Sequence, residues 1–238
     1  MSADVVEYAV YGAPGELPVL PDLTAAAGGA LIEVSSAEIA EDWAERWREF
    51  HRPLVLDGKL TVRPPWEPAA DTSIDLVIDP GQAFGTGAHA TTRLCLEVML
   101  SLEPGGAFAD LGCGSGVLAI AAARLGFSPV LAVDSDGASI RATAENALAN
   151  KVELDVSRVD LRTDPIPSAP TIAANLLTPL LLAVAPRLST HVERAIASGV
   201  LVGEADAVAE AFAARGLSEA ARLESGEWAA LLVDKSGR

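Results

Sequence analysis

Hydrophobic and polar positions follow two different patterns along the chain, and the change comes near residue 74. After Ile74, short apolar runs rich in β-branched residues alternate with longer Ala- and Leu-rich stretches whose apolar residues recur at helical spacing. This predicts an α/β fold, a mostly parallel sheet covered by helices on both faces. The predicted strands are Ile74–Ile78, Ala107–Leu111, Val130–Val133, Glu153–Val156, Thr171–Ala174, Ala195–Val202, Leu217–Leu223 and Trp228–Val233. The predicted helices are Thr91–Leu102, Gly116–Leu125, Ala138–Asn150, Pro179–Arg187 and Ala205–Arg215.

The residues before this region predict a short α+β extension. Ser36 to Phe50 has the spacing of a helix, and the apolar residues on either side of Asp57-Gly58 predict a hairpin. The Pro-rich stretch that ends at Pro68 is typical of a boundary. We therefore expect an amino-terminal region and linker at residues 1–68 and the main α/β domain at residues 69–238.

Composition narrows the choice of partners. The chain has 238 residues, of which 50% are hydrophobic and 21% charged, as in a globular protein. Its net charge of -16 disfavours nucleic acid, since phosphates repel an anionic surface and no dense Lys/Arg run offsets it. A cationic partner such as a Lys-rich protein fits this charge better, although acidic surfaces also serve solubility alone.

The cysteines, the histidines and the amino terminus further narrow the class of protein to which the chain can belong. Two cysteines exclude a disulfide framework, and three scattered histidines without a metal-binding pattern predict no metal site. The sequence shows no signal-peptide pattern and no apolar run of membrane-spanning length. These features predict a cytoplasmic protein with no membrane partner.

A glycine-rich loop with two acidic residues is the strongest chemical signal. Asp110 precedes Gly112 and Gly114 in a G-x-G-x-G loop between a strand and a helix, and Val117 stands where a dinucleotide fingerprint has its third glycine. A carboxylate at Asp110 would repel a pyrophosphate and attract the ammonium of an amino acid. Asp134, about twenty residues later at the end of the next strand, can accept hydrogen bonds from both ribose hydroxyls.

Together these residues favour a cofactor with an amino-acid tail, a ribose and no phosphates, which describes S-adenosylmethionine. The missing third glycine disfavours a dehydrogenase. The alternative without a ligand is a glycine turn that serves packing and an Asp134 that is merely solvated.

Two further segments are expected to border the same crevice. The stretch Asp79–Thr92 is rich in turn formers and opens a helix at its end, so it serves either to shape backbone around a ligand or simply to cap the helix. Asn175 closes an apolar strand and faces the crevice above the glycine loop. We hypothesise that Asn175, as the tentative catalytic residue, and the loop Phe84, Gly85 and Thr86 shape a pocket around a methyl group and an amine.

Two polar residues near these motifs have competing interpretations. His89 invites assignment as a general base, but a helix cap or loop brace is the better interpretation. Asp136 either assists near an adenine or is solvated.

The motifs taken together resemble the PrmA family, the methyltransferases of ribosomal protein L11. The segments DPGQAFGTGAHATT, DLGCGSGVLAIAA, AVDSD and ANLL match in order and spacing, and EDWAERWREFHRPL resembles the linker before the family's catalytic domain. The resemblance covers roughly residues 40–235. It implies a seven-stranded Rossmann-like sheet that holds S-adenosylmethionine, and methylation of ε-amino and α-amino groups of a ribosomal protein. It also implies cofactor-binding roles for Thr92, Gly112, Asp134 and Asn175.

Departures from the family pattern concern the substrate. About forty residues precede the linker, fewer than the family's amino-terminal substrate-gripping domain needs, and Ala88-His89-Ala90 replaces the usual Thr-His-Pro. Lysines of the electron-transfer flavoprotein β subunit, or a small molecule, are therefore alternative acceptors. A cofactor-binding module without turnover is the alternative outside enzymes.

Overall fold

The computed structural model describes residues 52–79 and 89–235, and all of them belong to one compact unit of the chain. Its centre is a seven-stranded sheet. The strands are β4 (Phe108–Leu111), β5 (Val130–Asp134), β6 (Asp155–Arg158), β7 (Thr171–Asn175), β8 (Arg194–Leu201), β9 (Ser218–Ser225) and β10 (Trp228–Asp234). Their order is β6-β5-β4-β7-β8-β10-β9, and β10 alone runs antiparallel to its neighbours. This confirms the predicted α/β class and the seven-stranded, mostly parallel sheet.

Within residues 52–79 and 89–235, five α-helices cover the two faces of the sheet, because both faces of its central strands are apolar. They are α1 (Ala90–Leu100), α2 (Val117–Leu125), α3 (Gly137–Ala149), α4 (Thr178–Val184) and α5 (Ala205–Ala213), and short 3-10 turns follow α4 and precede α5. Buried side chains of α1, α2 and α3 share one apolar cluster, and those of α4 and α5 share the other. The sheet is therefore the middle layer of three.

A second, three-stranded sheet precedes the main one along the chain. Its strands are β1 (Leu54–Leu56), β2 (Leu60–Arg63) and β3 (Ile74–Val77). The predicted hairpin is confirmed: β1 and β2 are antiparallel, and Asp57 and Gly58 both have positive φ, as a type I′ turn requires. Because β2 and β3 pair, the small sheet draws strands from both sides of residue 68, and the proposed domain boundary there stays a prediction.

Two strand predictions need correction. The run that starts at Ile74 forms a strand, but it pairs with β2 in the small sheet and does not join the main sheet. The strand predicted at Glu153–Val156 lies two residues later, at Asp155–Arg158. This strand is an exposed sheet edge, and Val152 and Leu154 pack against the core from the loop before it, so the apolar residues do not mark the strand itself. The helix predicted at Ser36–Phe50 lies outside the described residues.

Candidate cofactor and methyl-transfer site

The candidate site lies at the carboxyl ends of β4, β5 and β7. After β4 the chain adds β5 and then β6 on one side of β4, and it later adds β7 on the other side. The strand order therefore reverses between β4 and β7. Asp110 on β4 pairs with Ala173 on β7, which brings the glycine loop after β4 level with the end of β7. A crevice between diverging loops forms at such a position, as the sequence pattern predicted.

The glycine loop after β4 is held against β5 by its own backbone. The N–H groups of Gly112 and Cys113 both donate to the carbonyl of Val133, at 2.8 and 2.9 Å. Gly112 has φ of +81° and Gly114 has φ of +54°, a region in which residues with a Cβ are strained. The loop therefore favours glycine at these positions, and Gly112 is its partly exposed residue.

Asp110 lies beneath the loop and is almost completely buried, with 1% of its surface exposed. Its Oδ2 accepts a hydrogen bond of 3.0 Å from the backbone N–H of Ala119 in α2. Its Oδ1 is buried and has no hydrogen-bond partner among the described residues. The pKa of this carboxyl is raised from 3.8 to about 7: burial raises it most, the Ala119 hydrogen bond lowers it, and the nearby Asp134 raises it.

Asp134 ends β5 and braces the loop from the side. Its Oδ2 accepts from the N–H of Gly114 at 3.0 Å, and its Oδ1 accepts from the N–H of Asp136 at 3.0 Å. Each carboxylate oxygen can accept a second hydrogen bond. Asp134 thus combines a partly buried negative charge with free acceptor capacity at the strand end.

Asp136 itself caps helix α3. Its carboxylate accepts from the N–H groups of Ala138 and Ser139 at the first turn of α3, and these hydrogen bonds lower its pKa. Its side chain is exposed. Asp136 therefore caps α3 from an exposed position, and its contact with an adenine stays a prediction.

Asn175 and Thr92 meet on the other side of the crevice. The Asn175 Nδ2 atom lies 3.4 Å from Thr92 Oγ1, a long hydrogen bond, although the two residues are 83 positions apart. Thr92 is completely buried at the start of α1, and Asn175 is partly exposed at the end of β7. The structure thus brings these two predicted residues together. Phe84, Gly85 and Thr86 lie outside the described residues.

His89 is the amino-terminal cap of helix α1. Its Nδ1 lies 2.8 Å from Thr91 Oγ1 and 3.3 Å from the N–H of Thr91, and its ring packs edge-on against Trp228 with centroids 5.1 Å apart. The capping interpretation is confirmed, since the ring nitrogen serves the start of α1.

A polar stripe on helix α3 was missed by sequence reasoning. Asn146 Nδ2 donates to the carbonyl of Ser115 in the glycine loop at 2.9 Å, and its Oδ1 accepts from the N–H of Asp79 at 2.9 Å. One turn earlier, Thr143 Oγ1 donates to the carbonyl of Gly114 at 3.0 Å. The signal was present in the sequence: Ser139, Thr143, Asn146 and Asn150 repeat at helical spacing and are all buried.

The two cysteines near the site are not poised as nucleophiles. Both are free and buried, and burial raises the pKa of each thiol to about 12. At neutral pH neither is a thiolate, the form that attacks an electrophile. Across residues 52–79 and 89–235, no group of three or more His, Cys, Asp and Glu is placed to hold a metal ion. No helix in these ranges is long and apolar enough to cross a membrane.

The strand order, the glycine loop and the acidic strand end define the Rossmann-like fold of the S-adenosylmethionine-dependent methyltransferases. A ribosomal protein L11 methylase from Lactobacillus delbrueckii subsp. bulgaricus has a similar structure, with a TM-score of 0.68 and 28% identity over 79% of this chain and all of that one. A methyltransferase from Pyrococcus furiosus shares the fold at a TM-score of 0.52 and 13% identity, over 67% of this chain and 89% of that one.

Sequence comparison gives the particular family. The model of the ribosomal protein L11 methyltransferase (PrmA) family matches residues 23–236, and the chain belongs to this family. Ribosomal protein L11 methyltransferase of Geobacter sulfurreducens is 39% identical over 92% of this chain and 75% of its own length. The proteins of the same name from Pelotomaculum thermopropionicum and Symbiobacterium thermophilum are 40% and 37% identical, over 85% and 82% of this chain. The chain spans 69% and 66% of their lengths.

Proposed function

We propose that this protein transfers methyl groups from S-adenosylmethionine to amino groups, chiefly lysine ε-amino groups, of ribosomal protein L11. The observation that carries the proposal is the meeting of Asp110, the glycine loop, Asp134 and the Asn175–Thr92 pair at the point where the strand order reverses. Family membership and the names of its relatives support methyl transfer and this substrate. Such a substrate places the reaction in the cytoplasm.

The described residues fit the cofactor. The buried Oδ1 of Asp110 has no hydrogen-bond partner among the described residues and lies under the glycine loop, so it suits a cationic amino-acid tail reached directly or through water. Asp134 has acceptor capacity for ribose hydroxyls. Gly112, the partly exposed glycine of the loop, adds no side chain that would keep a ligand away from the main chain. When bound, S-adenosylmethionine supplies an electrophilic methyl group on its sulfonium.

The chain's contribution to methyl transfer is mainly alignment. The acceptor amine must be neutral, and since lysine titrates near 10.4 in water, a partly dry crevice helps by lowering the lysine pKa. Asn175 donates through Nδ2 to Thr92, and this fixes its Oδ1 as an acceptor for an N–H of the incoming amine. An acceptor amine held in this way next to the bound cofactor reacts within one complex, and the reaction no longer depends on an encounter between two free molecules.

The net charge of the chain agrees with a cationic substrate. At -16 the protein attracts a Lys-rich protein at long range and repels nucleic acid. We therefore expect the protein substrate to be recognised apart from ribosomal RNA, with no direct contact between this chain and nucleic acid.

The test is to incubate the purified protein with radiolabelled S-adenosylmethionine and purified L11, and in parallel with a cognate lysate that lacks its gene. Label on L11, and on one small ribosomal protein in the lysate, supports the proposal. Label on another protein, such as an electron-transfer flavoprotein subunit, retains methyl transfer and overturns the substrate. Cofactor binding without any labelled protein favours a small-molecule acceptor or a binding module.

A further inference from the structure

The residue after Asn175 occupies a narrow space between two glycines. Leu176 follows β7, and its side chain lies over Gly112 of the cofactor loop so closely that a Cβ on Gly112 would lie 2.4 Å from Leu176 Cδ2. Its backbone lies against Gly199 of β8, where a Cβ would lie 2.5 Å from the Leu176 carbonyl oxygen and 2.8 Å from its carbonyl carbon. Real Cβ atoms do not approach other atoms so closely. At Gly199 the obstacle is backbone, so a Cβ does not fit there, whereas at Gly112 a Cβ would displace the end of the Leu176 side chain.

The same part of β8 also fixes the other half of the site. The carbonyl of Ser198 accepts from the N–H of Leu176 at 2.9 Å. The Ser198 hydroxyl lies 3.3 Å from the carbonyl of Thr91, next to Thr92, and 3.0 Å from the carbonyl of Ala229. Ser198 and Gly199 therefore hold both the end of β7, which carries Asn175, and the start of α1, which carries Thr92.

The geometry points to Leu176 as a positioning residue. Its side chain sets the spacing between the cofactor loop and the end of β7, and its backbone, seated on Gly199, sets the direction of Asn175. This inference rests on the proposed function, in which Asn175 aligns the acceptor amine above a cofactor held by the glycine loop. The next residue, Leu177, is 70% exposed, so the chain reaches the surface directly after Leu176.

The two glycines provide a matched experiment. Gly112 and Gly199 both have φ of +81°, so alanine meets the same backbone strain at either position. The added methyl group meets different parts of Leu176, since Gly112→Ala strikes the side chain and Gly199→Ala strikes the backbone. Truncation of the side chain in Leu176→Ala therefore relieves the first collision and not the second.

The measurement is S-adenosylmethionine affinity by calorimetry for both glycine variants, with and without Leu176→Ala. We expect Gly112→Ala to weaken binding on the order of tenfold, and the added Leu176→Ala to restore the part of the loss that comes from the collision, while the backbone strain at positive φ remains. Any loss of S-adenosylmethionine affinity in Gly199→Ala is expected to remain after Leu176→Ala is added, because the collision there is with backbone. Equal restoration at both glycines, or at neither, would overturn the inference.

Two further readouts separate this inference from the proposed function and from misfolding. Leu176→Ala alone is expected to lower kcat more than it changes cofactor affinity, and Leu176→Met, which refills the space, to recover kcat.

If wild-type protein labels no acceptor, the proposed function fails, while the pattern of cofactor affinities still decides the inference. If Gly112→Ala is too unstable to bind the cofactor, the urea concentration at the unfolding midpoint is measured instead. Addition of Leu176→Ala is then expected to raise this midpoint toward the wild-type value.

Discussion

Asn146 of helix α3 hydrogen-bonds with its side-chain amide to two segments of the site at once: its Oδ1 accepts from the N–H of Asp79 at 2.9 Å, and its Nδ2 donates to the carbonyl of Ser115 at 2.9 Å. Asp79 opens the turn-rich segment that runs to Thr92, and Ser115 belongs to the glycine loop. A single buried side chain thus ties the two backbone segments that border the proposed cofactor pocket.

Asn146→Ala is expected to weaken both stability and cofactor binding. It removes the hydrogen bonds to the buried Ser115 carbonyl and to the N–H of Asp79, at a cost of roughly 0.5–1.5 kcal/mol of unfolding free energy each. Because the glycine loop loses a brace, the Kd for S-adenosylmethionine rises as well. Urea unfolding and calorimetry measure the two effects.

Asn150→Ala is the matched control for this prediction. Asn150 makes the same kind of paired contact with the backbone of Val77, at 2.8 and 2.6 Å, and its Nδ2 also donates to the carbonyl of Asn146, but among the described residues it has no hydrogen bond with the glycine loop. Its loss is expected to lower stability while the Kd for S-adenosylmethionine stays within about twofold. Equal effects of both variants on cofactor affinity would show that the Asn146 contact acts only through overall stability.

Asp134→Asn is expected to weaken cofactor binding strongly. Asp134 orients the N–H groups of Gly114 and Asp136 and has acceptor capacity for ribose hydroxyls, and hydrogen bonds to a charged group are worth roughly 1.5–3 kcal/mol each. We expect the Kd for S-adenosylmethionine to rise roughly tenfold to a hundredfold. Asp155→Asn, on an exposed edge strand, is the control and should leave the Kd unchanged. A similar Kd in both variants would remove Asp134 from the cofactor site.

Asn175→Ala is expected to slow methyl transfer more than it weakens cofactor binding. Asn175 lies on the side of the crevice away from Asp134, and its proposed contact is with the acceptor amine. Thr92→Val keeps the shape of the buried side chain but removes the oxygen that anchors Asn175 Nδ2 at 3.4 Å, so it should lower kcat in the same direction by a smaller factor. Single-turnover rates and calorimetric Kd values separate the two effects. An unchanged rate in Asn175→Ala would reject its role.

The architecture and the positions of the strand ends could be predicted from the sequence, because both produce local patterns of apolar and polar residues. Buried parallel strands appear as short apolar runs, and Asp134 and Asn175 stand out as polar residues that close such runs. The pairing of β3 with β2 was not predictable in this way, since the apolar pattern of a strand does not specify its neighbour. The placement of Leu176 between Gly112 and Gly199 depends on the order of three strands, which is a property of the whole sheet.

Asp75→Asn is expected to destabilise the small sheet. Arg63 donates from Nε to Asp75 Oδ1 at 2.9 Å and from a terminal nitrogen to Oδ2 at 2.8 Å, with side-chain exposures of 12% and 20%. Loss of the Asp75 charge leaves the largely buried guanidinium of Arg63 without a counter-charge, which costs roughly 2–4 kcal/mol in unfolding free energy. The exposed pair Arg93–Glu97 is the comparison, and Glu97→Gln should cost no more than about 0.5 kcal/mol. Equal losses in urea unfolding would contradict this prediction.

Asp110 gives the protein a pH-dependent stability whose sign follows from its burial. Its pKa rises from 3.8 to about 7 on folding, so between these pH values the folded protein holds a proton that the unfolded chain has released. The contribution of this group to the unfolding free energy therefore falls as pH rises from about 4 to about 7, by as much as about 4 kcal/mol.

Asp110→Asn removes this titration while keeping an oxygen for the Ala119 N–H. Its unfolding free energy should therefore decline less steeply than that of the wild type over the same pH range. Urea unfolding at a series of pH values measures the slopes. Parallel wild-type and Asp110→Asn profiles would mean that Asp110 keeps an ordinary pKa in the folded protein and that its buried oxygen is solvated.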